Sequence, residues 1–118
     1  MMRAVVIAIV ILIGSRHAAA EDARVTAARS AYDAGKQEIT LQLLAPVLAG
    51  RLDDHERAAA LRLAGCAEMV LGHRAEAIAR FQASFALEPD AALEPKLASS
   101  PDARGLLELA RGQWREAL

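Results

Sequence analysis

Between residues 77 and 87, Ala77, Ile78, Phe81, Phe85, Ala86 and Leu87 fall on one helical face at three- and four-residue spacing, and Pro89 ends the run. Before them, Leu61, Ala64, Cys66, Glu68 and Val70 lead up to Leu71 and Gly72, where glycine can take the left-handed conformation that closes a helix. The two runs predict a helical hairpin with its turn at Gly72. A looser version precedes it: a helix over residues 23–33, a turn at Ala34 and Gly35, and a second helix carrying Ile39, Leu41, Leu44, Val47 and Leu48. Pro46 lies inside that second helix and should bend or shorten it.

The boundaries carry their own chemistry. Asp53 with Glu56 reads as a capping box for the helix that opens the second hairpin. After it the stretch PDAALEPKLASSP, with prolines at 89, 95 and 101, favours an extended path that straps or exposes rather than packing as helix. It reads either as a solvated connector or as a recognition segment. Ser100 as N-cap, Pro101 in the first turn and Asp102 at the positive end of the helix dipole then restart a helix.

The chain also repeats itself. Its last seven residues, GQWREAL, echo GHRAEAI, which begins at Gly72. Gly35, Gly72 and Gly112 stand 37 and 40 residues apart, in the range of helical-hairpin repeats. Gly65 and Gly105 lie seven residues before the second and third of these, with Ala28 in the first unit. Glu68 matches Glu108, Glu76 matches Glu116, Ala77 matches Ala117, and Ile78 and Leu118 answer to Leu41.

On these residues the second unit resembles a tetratricopeptide repeat (TPR): small Gly65, turn Gly72, then Ala77, Phe81 and Pro89 at the spacing of the family's A-x-x-x-F pattern and closing proline. Ser84 stands where the family has alanine, Glu68 replaces its tyrosine and Leu61 its tryptophan. The match is closest over residues 58–90, looser over 23–51 and half present over 101–118. The resemblance implies an all-α fold, a right-handed superhelix of stacked helical hairpins. One repeat spans about 23–51, a second about 55–90, a proline-containing loop 89–100, and a partial repeat or capping helix 101–118. The closing LELARGQWREAL is then the first helix, turn and second-helix opening of a third repeat. Alternatively it is a cap with Trp114 over the open end of the stack and Arg104, Glu108, Arg111 and Arg115 as its polar face.

Such a stack offers a concave face lined by the first helix of each hairpin. Carried over residue by residue, the lining comprises Arg29 and Tyr32 from the first unit and Arg62, Cys66 and Met69 from the second. Those side chains suit an extended peptide or a partner helix; Arg29 and Arg62 read equally as solvated helix surface. The lysine and asparagine set with which some family members clamp a C-terminal carboxylate is missing. So short a stack, near the ~3 repeats that stability usually needs, makes a homodimer through the Trp114 end an alternative.

Composition narrows the class further. Apolar residues make up 54% of the 118 and aromatics 3%, so the core must be built from Ala, Leu, Ile and Val. A net charge of -1 excludes a strongly basic nucleic-acid binder. Residues 4–13 are an unbroken apolar run after Arg3, followed by Ala18, Ala19 and Ala20, which predicts a signal peptide over residues 1–20 cleaved before Glu21. The protein is then exported, periplasmic or secreted; the alternative is an uncleaved inner-membrane anchor over residues 4–13. Cys66 has no second cysteine to pair with inside the chain and reads as packed in a helix face, or else as paired between molecules.

Asp53, Asp54, His55 and Glu56 gather acids and an imidazole, yet Ala59 stands where a zinc helix needs its second histidine. His73 has no ligand-spaced partner, and no nucleophile elbow or phosphate loop occurs. The expectation is a non-catalytic protein-interaction adaptor that needs no metal or cofactor and binds a protein or peptide. The alternative is a membrane-anchored structural subunit of an envelope assembly.

Overall fold

The structure, a computed structural model, describes residues 23–118; the signal-peptide and anchor expectations concern residues 1–20 and lie outside them. Among the described residues all regular structure is helical: α1 over 23–33, α2 Gln37–Ala49, α3 Asp54–Val70, α4 Arg74–Leu87, the single turn α5 Pro95–Ala98, and α6 Pro101–Ala117.

The two expected hairpin turns close by one hydrogen-bond pattern. Lys36 N–H donates to Ala31 O at 2.8 Å and Gly35 N–H to Tyr32 O at 3.0 Å; in the next hairpin His73 N–H donates to Glu68 O at 2.8 Å and Gly72 N–H to Met69 O at 3.0 Å. Both are Schellman closures, which need a left-handed residue after the last helical turn, and Gly35 and Gly72 supply it with φ of 78° and 82°. Asp53 and Ser100 act as N-caps, although the return bond of a capping box, from Asp53 N–H to the Glu56 side chain, is not formed. Asp53 Oδ1 accepts from Glu56 N–H at 2.8 Å, and Ser100 Oγ accepts from Ala103 N–H at 3.2 Å.

Pro46 does not end α2, which continues to Ala49. The proline and Gln42, whose carbonyl loses a helical donor there, are both exposed, so water can take the place of the missing N–H. The last carbonyls of α2 are met from the next helix: the Arg57 guanidinium donates to Leu48 O and, at 2.6 Å, to Gly50 O.

Packing is centred on α3, which lies against both α2 and α4, while α4 in turn packs on α6. Every residue from 61 to 68 in α3 is buried, and its middle four are small: Ala64, Gly65, Cys66 and Ala67. Small residues let α3 and α4 approach closely. A Cβ on Gly65 would lie 2.5 Å from the Phe81 ring, which is fully buried with Phe85, Leu44 and Val47.

Of the two alternatives for residues 101–118, the partial repeat with a turn at Gly112 does not form. α6 runs unbroken through Gly112, so LELARGQWREAL forms no turn and no second helix, and Ala117 closes a first helix rather than occupying a second. Ala103, Leu106, Leu107, Ala110 and Trp114 make one stripe at three- and four-residue spacing against the core. Trp114 packs tilted on Phe85 with ring centroids 6.0 Å apart. Arg111, expected on the polar outer face, turns inward instead, with its guanidinium 4.8 Å from the centroid of the Phe85 ring.

Candidate functional site

Residues 88–98 leave α4, cross the face presented by α1, α3 and α6, and return to start α6. The path begins at Glu88, where the α4 backbone turns extended, and a turn at Pro89 and Asp90 is closed by Ala91 N–H donating to Glu88 O at 3.0 Å. Residues 91–94 run without regular structure, and Pro95 in the first turn starts α5. The prolines leave the backbone few alternatives, which keeps this strap from joining either helix.

Each of the three helices holds the strap. From α1, Arg29 pairs with Glu94, and Asp33 accepts from the Lys96 ammonium at 3.1 Å. From α3, Arg62 donates to Glu88 at 3.2 Å, and His55 Nδ1 lies 2.8 Å from the other oxygen of the same carboxylate. From α6, Arg111 Nη2 donates to Ala91 O at 2.7 Å. Ala91 and Leu97 are buried in the core cluster, and Leu93 packs half-exposed against it. The apolar anchors fix where the strap lies, and the ion pairs fix its register along α1 and α3.

These contacts change the reading of the expected groove. Arg29 is exposed and engaged by Glu94. Tyr32 is half-buried; burial raises its phenol above the usual value, with the neighbouring Cys66 and Asp33 adding to it. Arg62 is only 5% exposed, so it is neither an open anchor nor the solvated surface that was the other reading. Cys66 is fully buried and its thiol is pushed up to about 12, chiefly by desolvation, so it neither lines a surface nor presents a thiolate for pairing between molecules. Met69 borders a different depression of about 410 Å³, beside Leu106 and Leu109. The five residues therefore do not make one open groove.

What lies over the first-helix face is the chain's own strap; its contact residues Glu88, Ala91, Glu94, Lys96 and Leu97 were not singled out from sequence, although the stretch 89–101 that holds four of them was read as a connector or a recognition segment. Their one visible trace was charge and leucine interleaved with proline in EPDAALEPKL. Their hydrogen-bond and ion-pair partners on α1, α3 and α6 lie 20 to 65 residues away, beyond the reach of local pattern.

The strap does not fill the face. One depression of about 440 Å³ opens beside Arg62 and Glu88, and another of about 370 Å³ beside Arg29 and Glu94. Arg62 is also incompletely satisfied, because its buried Nε has no hydrogen-bond partner. His55 is raised above its ordinary value, mainly by its hydrogen bond to Glu88, and Glu88 is lowered, mainly by the same bond. A carboxylate shared between two potential cations is the electrostatic centre of this site.

The acidic stretch at 53–56 divides between two tasks: Asp53 caps α3 and His55 faces Glu88. Among the described residues no three His, Cys, Asp or Glu side chains come together as a metal site, and no helix is long and apolar enough to cross a membrane. Compared with known proteins, the chain matches no family model, no curated protein and no solved structure.

Proposed function

We propose that this protein is a non-catalytic interaction module: a short superhelix of tetratricopeptide-like hairpins whose first-helix face holds a polypeptide segment. The observation that carries the reading is the strap itself. Residues 88–98 lie across α1, α3 and α6, anchored by small apolar side chains and matched ion pairs. A face with these properties is suited to a peptide that lies across it as the strap does, through a turn at 89–90, an irregular run over 91–94 and one helical turn over 95–98. The two Schellman turns and the contact of Gly65 with Phe81 support the repeat reading in the second hairpin and the turn alone in the first.

The test is site-specific photo-crosslinking in cells. A crosslinker at Thr26, exposed on α1 beside the strap, should give a discrete protein adduct, whereas one at Ala79, exposed on α4, should not. Identical adducts from both positions, or none from Thr26, would sink the reading. The proposal also places the module outside the cytoplasm, as an exported, periplasmic or secreted protein. A mature N-terminus other than Glu21, read by mass spectrometry, would count against that part.

A further inference from the structure

We propose that the strap is a tethered stand-in for the partner, and that the partner is an acidic peptide with two carboxylates about six residues apart and small or branched apolar side chains between and after them. This rests on the module reading above and names the chemistry of its ligand. The face presents Arg29 from α1 and Arg62 from α3, with His55 and Arg111 nearby, whereas the strap carries Glu88, Asp90 and Glu94 against the single cation Lys96. The complementarity is cationic face to acidic segment, with one reversed pair between Asp33 and Lys96. Between the two glutamates, Ala91 is the buried anchor and Leu93 the half-buried one; beyond them Leu97 enters the core. A ligand that reproduces Glu88, Ala91, Glu94 and Leu97 reproduces the recognised features.

The strap is also an imperfect occupant. Glu88 answers both Arg62 and His55, Arg62 keeps a buried Nε without a partner, and open space remains beside both arginines. Its outer tethers are exposed: the Lys96 side chain is 82% accessible and that of Glu94 37%. Exposed pairs contribute little each and are screened by salt. A tethered segment nevertheless competes at an effective concentration on the order of millimolar. A free peptide therefore binds with an affinity reduced by the fraction of molecules whose strap is open. Loosening the tethers should raise that fraction and with it the apparent affinity.

The experiment uses the full chain and, as probe, a fluorescent peptide with the strap's own sequence, EPDAALEPKLAS, followed by anisotropy. A Glu94→Gln/Lys96→Gln variant removes both outer ion pairs without touching the core. It should bind the peptide about three- to tenfold more tightly than the wild type, as the loss of two exposed pairs allows. A peptide with both glutamates changed to glutamine should bind the opened form more weakly, and adding Arg29→Gln to the variant should weaken binding of the original peptide by about two- to fivefold. Leu97→Ala, which loosens the strap by its apolar anchor, provides a second opened form should the first alter folding; wild-type-like helicity and a cooperative melt qualify either.

No gain in an opened form, or equal binding of the glutamine peptide, would overturn the proposal. A dimer appearing in the opened forms, with peptide binding lost, would overturn it in favour of a second copy exchanging its strap. A Thr26 crosslink that persists undiminished by excess strap peptide would leave the module reading standing and remove only the acidic-peptide ligand.

Discussion

The second hairpin and α6 carry the same two glycines in the same register and use them in opposite ways. In the hairpin, Gly65 is a point of close approach and Gly72 a left-handed turn. In α6, Gly105 and Gly112 are ordinary helical residues on an open face, and a Cβ at either would meet nothing within 4 Å. The flanking apolar residues decide the difference. Beyond Gly72, Ala77, Phe81 and Phe85 find burial only if α4 folds back beside α3. Beyond Gly112, Trp114 reaches Phe85 only if the helix continues straight, because a turn would take it off the stripe set by Ala103, Leu106, Leu107 and Ala110. A repeated motif therefore marks a position without fixing its conformation.

The comparison can be broken most forcefully at the ring that Gly65 admits. Phe81→Ala empties fully buried volume and should cost about 3–5 kcal/mol in urea unfolding. A cost below 1 kcal/mol would mean that α3 and α4 are not packed as closely as Gly65 and Phe81 indicate.

Next come the register-matched glycines of the two first helices. Gly65→Ala drives a methyl group into the Phe81 ring; overpacking of about 1–3 kcal/mol outweighs the better helix propensity of alanine, leaving a net loss of about 1–2 kcal/mol. Combining it with Phe81→Leu should give a clearly non-additive cycle, since the smaller side chain vacates the contact. Gly105→Ala has no such contact and should stabilise by about 0.5–1 kcal/mol. Equal effects at the two sites would erase the distinction drawn here.

The turn glycines offer a smaller contrast. Gly72→Ala must place a Cβ at positive φ and should cost about 1 kcal/mol, whereas Gly112→Ala in continuous helix should gain about 0.5 kcal/mol. Loss at Gly112 would indicate a turn there after all. Thermal melts of the two variants side by side decide it.

The smallest effect concerns the root of the strap and has a defined sign. His55 is raised, so its contribution is complete below its ordinary value of 6.5 and is lost as pH rises through the raised value. Glu88 is lowered, so its contribution is present above its ordinary value of 4.5 and is lost as pH falls through the lowered value. The contact is therefore strongest between those two ordinary values. An NMR titration should find His55 above 6.5 in the wild type and moved back toward 6.5 by Glu88→Gln. No movement would separate His55 from the strap.

Much of the helical layout was legible because its causes are local. Asp53 and Ser100 cap the next few residues of their own backbone, and Gly35 and Gly72 follow apolar runs that end there. Pro46 does not end α2 at its own position, because its cost depends on whether the freed carbonyl can reach water, a property of the folded surface. The candidate site was legible in part: Arg29 and Arg62 do meet a peptide segment, but it is the chain's own, Arg62 is nearly covered beneath it, and Cys66 is buried in the core.

The all-helical character, the hairpin turns at Gly35 and Gly72 and the apolar stripes follow from local sequence, since periodicity, caps and glycine conformations act within a few residues. Packing between distant elements decided that Gly112 stays helical and that residues 88–98 lie across α1, α3 and α6. It also decided that one carboxylate, Glu88, serves two side chains of α3. Those outcomes depend on which distant surfaces are free to be buried, and desolvation and ion pairing between residues dozens of positions apart leave no periodic trace along the chain.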